Sequence, residues 1–244
     1  MEILQKQIKK LVGFWGAFCL FTFSLSAATV VGSEGMLLLH TPAADNIPAG
    51  NLYGGGAFVE FGFDPHSAGV KLTASYLYGT EYQQINSGEI VPASHGAFYF
   101  AAMLKYNTPI AVKGAGKFGR IMTRILYALN PWFGAGPGFQ INSSIRNDSA
   151  TFQDVSEIAQ PGNDFLLEVG GGFHTNIGMV LNYMNVRSSW RNVYFITDIR
   201  YTWNLNYVEP VQLSSDDTLF KQFAGYWNLK FGIAYRFAST KEKS

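Results

Sequence analysis

Ten ionisable side chains recur on one parity of alternating segments. Three are acidic, Glu60, Glu168 and Asp198; six are basic, Lys71, Lys105, Arg124, Arg200, Lys230 and Arg236; His174 completes the set. Charges withdrawn from water must be paired or hydrogen-bonded, so the plain reading of this set is a structural network of ion pairs. Six bases against three acids also allow a second chemistry, a narrow path that prefers small anions. The structural reading is preferred, because loop carboxylates can balance the excess. His174 could serve as a base, but a catalytic triad is a matter of geometry that spacing cannot supply. No catalytic residue is assigned. No metal site is assigned either, since His40, His66 and His95 stand at no ligand spacing with another His, Asp or Glu. The glycine runs 54–56 and 170–172 lie inside alternating segments with no helix behind them, so they are not phosphate loops, and no cofactor is expected.

The elements that must carry these residues are strands. Side chains of a strand alternate between two faces, and period-2 alternation returns along the chain. It is readable over 51–64, 69–79, 97–107, 120–142, 164–177, 193–207 and 226–237. In the fourth segment Ile121, Ile125, Tyr127, Leu129 and Phe133 oppose Arg120, Arg124, Asn130 and Gly134, which predicts one long strand. An even strand number is needed to close a bacterial barrel from one chain. Residues 35–41, GMLLLHT, supply the eighth strand, and 178–186, GMVLNYMNV, reads as a strand or an excursion between strands. Eight strands are expected, with ten as the alternative. The connectors 80–96, 143–163 and 208–224 are long and polar, whereas Asp64-Pro65-His66-Ser67 is a tight turn. Counting back from a last strand that runs toward the periplasm puts the long connectors outside and the tight turn inside.

Composition narrows the class. The chain has 244 residues, 14% charged and 16% aromatic, with 26 Gly and 9 Pro. Such a chain is not disordered, because disorder needs few aromatics and high charge. It is not a coiled coil either, which would be rich in Glu, Lys, Leu and Ala. Lys6, Lys9 and Lys10 precede the apolar run Leu11–Ser26, and small residues follow, the pattern of a secretory signal peptide at 1–26 cleaved after Ser26 or Ala28. The barrel then spans 27–237, followed by a polar tail, 238–244. Cleavage removes three Lys and one Glu, turning a net charge of +1 into −1. That balance offers no basic face for nucleic acid. Cys19 is the single cysteine and lies in the leader, so no disulfide or thiol chemistry is expected of the mature chain.

The polar face is mostly Gly, Ser, Thr, Asn and Gln, whereas a water-facing surface is densely charged. The opposite face is heavily aromatic, with Tyr201, Trp203, Tyr207 and Trp227 near strand ends. Such rings anchor at lipid headgroups. A strand-rich chain can span lipid only as a closed barrel, so the fold expected is all-β, a single closed antiparallel transmembrane β-barrel.

The run Asn130-Pro131-Trp132-Phe133-Gly134-Ala135-Gly136-Pro137-Gly138-Phe139 resembles a Gly-rich strand of small outer-membrane barrels. Residues 227–237, WNLKFGIAYRF, resemble their closing strand. Over most of its mature length the chain resembles the OmpA-like and OmpW-like outer membrane protein β-barrel domain families. The resemblance implies a bacterial outer-membrane protein that contacts outer-membrane lipid and lipopolysaccharide. It also implies a C-terminal strand, ending at Phe237, that is read by the barrel-assembly machinery. The expected role is structural, anchoring or surface interaction, with the polar loop 143–163 as the candidate site for a surface ligand. A narrow solute channel is the alternative. A third reading rests on His174-Thr175-Asn176, which resembles the His-Ser-Asn segment of the lipid A 3-O-deacylase family. Thr175 stands where that family has Ser, and phase puts His174 inside the barrel, so a hydrogen-bonding lumen residue is preferred to an enzyme.

Overall fold

The structure is a computed structural model. It describes residues 29–40, 50–62, 68–84, 90–108, 116–142, 146–147, 163–186, 190–206 and 225–237. The proposed signal peptide, the turn at 64–67, most of the loop 143–163 and the tail 238–244 lie outside the described residues.

Among the described residues nine strands and two helices follow one another. They are β1 (Thr29–His40), β2 (Asn51–Phe61), β3 (Ala68–Gln84), β4 (Ile90–Asn107), α1 (Gly116–Leu129), β5 (Pro131–Asn142), β6 (Arg146–Asn147), β7 (Asn163–Asn176), α2 (Ile177–Tyr183), β8 (Val193–Asn204) and β9 (Gly225–Phe237). Eight of the strands form a ring in the order β1-β2-β3-β4-β5-β7-β8-β9, with β9 paired back to β1. All neighbours are antiparallel. The two-residue β6 pairs only with β4. The barrel is therefore closed and eight-stranded.

Closure carries a stagger. Following paired residues around the ring leads from Thr29 through Phe61, Val70, Leu104, Ala135, Val169, Tyr201 and Trp227 to Leu39. The path returns to β1 ten residues from its start, so the strands tilt strongly against the barrel axis.

Parity sorts the two faces. Tyr53, Tyr76, Tyr78, Phe98, Trp203 and Trp227 are exposed toward one end of the barrel, and Tyr106, Phe133, Phe173, Tyr235 and Phe237 toward the other. Between these girdles the exposed face carries Val169, Ile199, Phe231 and Ile233. The core is the lumen. An apolar cluster around Leu38, Leu52, Leu77, Leu166 and Tyr226 fills one end, and Val30, Phe58, Tyr194, Ile196 and Ala234 pack toward the other.

Glycines make room inside. Gly170 and Gly172 of β7 lie opposite Arg200 and Asp198 of β8. A Cβ on Gly170 would meet Arg200 Cγ at 2.8 Å, and one on Gly172 would meet Asp198 Oδ1 at 2.8 Å. The same Cβ atoms would press still closer on the β8 backbone, at Ile199 O and Thr197 O, so a larger residue would disturb the strand pairing as well as the charged side chains.

Two expectations are corrected and one open reading is resolved. Residues 116–129 form a helix, so 120–142 is not one strand. Apolar residues at 121, 122, 125, 126 and 129 follow the helical period, and the true alternation of β5 had been carried backward over them. The helix stops at Asn130, which takes a left-handed φ of 41° and donates its N–H to Leu126 O at 2.9 Å. The ambiguous stretch 178–186 is mostly helix α2, begun by Asn176, whose side chain accepts from Met179 N at 2.8 Å. Of the stretch 80–96, read as a connector, 80–84 and 90–96 are strand, because β3 and β4 stay paired as far as Gln84 and Ile90.

Candidate functional site

Every barrel strand sends a large side chain into the lumen. Glu34 comes from β1, Glu60 from β2, Lys71 from β3, Lys105 from β4, Trp132 from β5, Glu168 and His174 from β7, Asp198 and Arg200 from β8, and Lys230 from β9. All are buried. Eight of them form a charge set of four acids and four bases.

The larger cluster is continuous. Lys71 Nζ donates to Glu34 Oε2 at 2.7 Å and to Asp198 Oδ2 at 2.9 Å. Lys230 Nζ stands 3.1 Å from Glu34 Oε1. Arg200 donates to Asp198 Oδ2 at 2.8 Å and to Glu168 Oε2 at 3.1 Å. Tyr99 OH donates to Glu168, and Thr202 Oγ1 does so at 3.4 Å. Aromatic faces support the cations: Lys71 lies 4.1 Å from the centre of the Phe58 ring, and Lys230 lies 4.8 Å from that of Tyr99.

A smaller cluster sits nearer the end where both Thr29 and Phe237 lie. Lys105 pairs with Glu60, and Lys105 Nζ is 3.1 Å from His174 Nδ1. With the ammonium as donor, Nδ1 is the acceptor, which leaves the imidazole proton on Nε2, 3.8 Å from Glu60 Oε2. Trp132 stacks on His174 with ring centres 5.9 Å apart. Thr175 lies on the opposite face of the strand. This arrangement holds a histidine; it does not present one to a substrate.

A third layer lies at the other end of the lumen. Asp164 accepts from Asn142 Nδ2 at 2.7 Å and from Asn204 Nδ2 at 3.1 Å, and Gln140 Nε2 donates to Asn142 Oδ1 at 2.7 Å.

The sequence set and the structural set overlap without coinciding. Glu60, Lys71, Lys105, Glu168, His174, Asp198, Arg200 and Lys230 face one another inside the barrel. Arg124 does not belong with them: it is exposed on α1. Arg236 is half-buried near the end of β9, where its backbone N–H donates to Asn192 O at 2.8 Å. Glu34 was missed, because the first strand was read from residue 35. Its strand has apolar residues of both parities, Val31, Leu37 and Leu39 beside Val30, Met36 and Leu38, so alternation there is faint. Arg124 and the half-buried Arg236 fall outside the network and Glu34 joins it, which turns the expected six bases against three acids into four against four. Among the described residues no group of His, Cys, Asp and Glu is placed to hold a metal ion. No described helix is long and apolar enough to cross a membrane.

Neither a protein-family model nor a curated protein sequence matches the chain. Solved structures do. Neisserial surface protein A is 11% identical, with a TM-score of 0.47 over 86% of this chain and 99% of that one. The attachment invasion locus protein Ail of Yersinia pestis, solved with the heparin analogue sucrose octasulfate, is 14% identical with a TM-score of 0.37, over 87% of this chain and 99% of that one. The translocator domain of the autotransporter NalP from Neisseria meningitidis is 8% identical with a TM-score of 0.36, over 87% and 89%. Likeness at these levels adds nothing to the reading of the lumen, which stands on its own geometry.

Proposed function

We propose that this chain is an integral barrel of a bacterial outer membrane with a structural, anchoring or surface-interaction role. The observation that carries the reading is the inverted polarity of the barrel: its charges are paired inside and its aromatic and aliphatic side chains face out. In water the apolar face of a barrel turns inward, whereas in a bilayer it faces the acyl chains. Closure supports the same reading, since each of the eight ring strands has a neighbour on both sides, as a lipid-spanning sheet requires.

The lumen argues for an anchor over a channel. An eight-stranded barrel has an interior that side chains just fill. Here a balanced ion-pair network lies between apolar clusters. Membrane lipid and lipopolysaccharide are the proposed surroundings of the belt. The proposed recognition strand for the assembly machinery is β9, which ends at Phe237 beside Thr29 at the barrel seam. The resemblance of residues 130–139 and 227–237 to strands of OmpA-like and OmpW-like barrels supports the same reading. The surface role falls to the β3–β4 extension, with β6 added to it, and to the adjoining loop 143–163.

Recording across planar bilayers tests the reading. The refolded barrel is expected to insert and give no current steps at any applied voltage. Reproducible ohmic openings would overturn the closed lumen and restore the channel.

A further inference from the structure

The two helices carry a pattern that neither the lumen nor the belt uses. The connections 109–130 and 177–192, which contain α1 and α2, hold six Lys or Arg and no acidic residue. Connections 41–50, 85–89, 143–162 and 205–224, at the opposite end of the barrel, hold eight acidic residues and two basic ones. The remaining connection at the end bearing α1, 62–67, adds one acid, Asp64, so that end holds six bases against one acid and is selectively basic.

On α1 the basic and apolar residues separate. Lys117, Arg120 and Arg124 share one side, at spacings of three and four. Phe118, Ile121 and Ile125 share another, and they remain 68%, 47% and 41% exposed. The barrel does not cover this apolar side. The helix is tied at its C-terminal end, where Asn130 leads into β5 and Tyr183 OH of α2 donates to Arg124 O at 3.4 Å. Met184, Val186 and Trp190 after α2 are exposed as well.

Internal electrostatics do not account for the bases. Lys117 sits in the first turn, where the helix dipole already presents positive charge, and no acid accompanies it there. Nearby on the barrel end stand Tyr106, Phe133, Phe173 and Tyr235 of the aromatic girdle. An anionic surface with an apolar interior, continuous with that girdle, meets all of these features.

We propose that α1 lies in the headgroup layer of the inner leaflet, with Phe118, Ile121 and Ile125 among the acyl chains and Lys117, Arg120 and Arg124 on anionic lipid phosphates. The proposal rests on the membrane-spanning reading above. An amphipathic helix of this kind binds through buried apolar area plus attraction to anionic lipid. The helix would fix the depth and orientation of the barrel from the inner side.

Depth-dependent quenching tests it on the full chain with Cys19→Ser, which removes the single native cysteine. An environment-sensitive fluorophore is attached through Ile121→Cys or, as a belt control, Phe231→Cys. The hosts are phosphatidylcholine vesicles with and without phosphatidylglycerol. The belt label is expected to be quenched by a lipid with a deep spin label. The label at 121 is expected to be quenched by a shallow spin label and shielded from iodide, more so with phosphatidylglycerol. Adding Lys117→Gln, Arg120→Gln and Arg124→Gln should abolish that extra shielding. Iodide quenching at 121 with the belt label still in lipid would overturn the proposal and leave the barrel reading intact. So would protection from both quenchers, which means a protein cover. Insensitivity to phosphatidylglycerol would overturn the phosphate contact. Failure of the belt control itself would count against the membrane reading.

Discussion

Glu34 shows what one buried carboxylate does in this lumen. It is the shared acceptor of Lys71 and Lys230, which come from strands on either side of β1. Removing one partner of a buried pair leaves an uncompensated charge, which costs about 3–5 kcal/mol. Glu34→Ala is therefore expected to lose stability on that scale, measured by urea unfolding of the barrel in lipid vesicles. An unchanged midpoint would mean that water or a neighbouring acid already satisfies both lysines. The other network members were legible in the sequence, because parity alone puts Glu60, Lys71, Lys105, Glu168, His174, Asp198, Arg200 and Lys230 on one face. Glu34 was not, because β1 has apolar residues on both parities. Arg124 was misplaced for the converse reason: two helical turns of alternating apolar and basic residues imitate a strand.

At the scale of elements, each strand is a boundary between two solvents. The apolar face has large aromatics toward the ends and mostly aliphatic side chains between, which matches a hydrocarbon slab with headgroups on each side. Phe231 lies at mid-height and Tyr53 near one end. A charge introduced by Phe231→Arg is expected to cost about 2–4 kcal/mol, and by Tyr53→Arg about 0–1 kcal/mol. The same unfolding measurement in vesicles checks both. Equal costs would mean that the two sites see the same medium. Helix α1 was hidden by strand parity, because Ile121, Ile125 and Leu129 lie at spacings of four, which keep one parity as well as one helical face. The adjacent apolar pairs Ile121-Met122 and Ile125-Leu126 are what the helical period accounts for and strand alternation does not.

The whole molecule is polar from end to end. Thr29 of β1, Phe237 of β9, the facing ends of β2 and β3 at Phe61 and Ala68, and the two helices share the basic end; the extended β3–β4 pair and the acidic connections share the other. Protease added to intact cells is expected to cut at 85–89 or 143–162. The connection 109–130 should be cut only after the outer membrane is permeabilised. The reverse pattern would invert the orientation of the barrel. Strand number belongs to this scale as well. Eight was the sequence expectation, and it holds because 29–40 closes the ring against 225–237 while 177–183 is helical.

What the sequence determined by itself was facing. A strand repeats every two residues, so once a segment is known to be a strand, parity assigns every side chain to one face. The aromatic and low-charge composition then says that one face does not meet water. What only the tertiary structure decided was partnership. Lys71 and Asp198 are 127 residues apart and meet at 2.9 Å because β3 and β8 face each other across a closed lumen. The balance of four acids and four bases, the exposed place of Arg124 and the uncovered face of α1 follow from the same closure. No local pattern encodes them, because each depends on which strands share an interior and on how far the ring is staggered when it shuts.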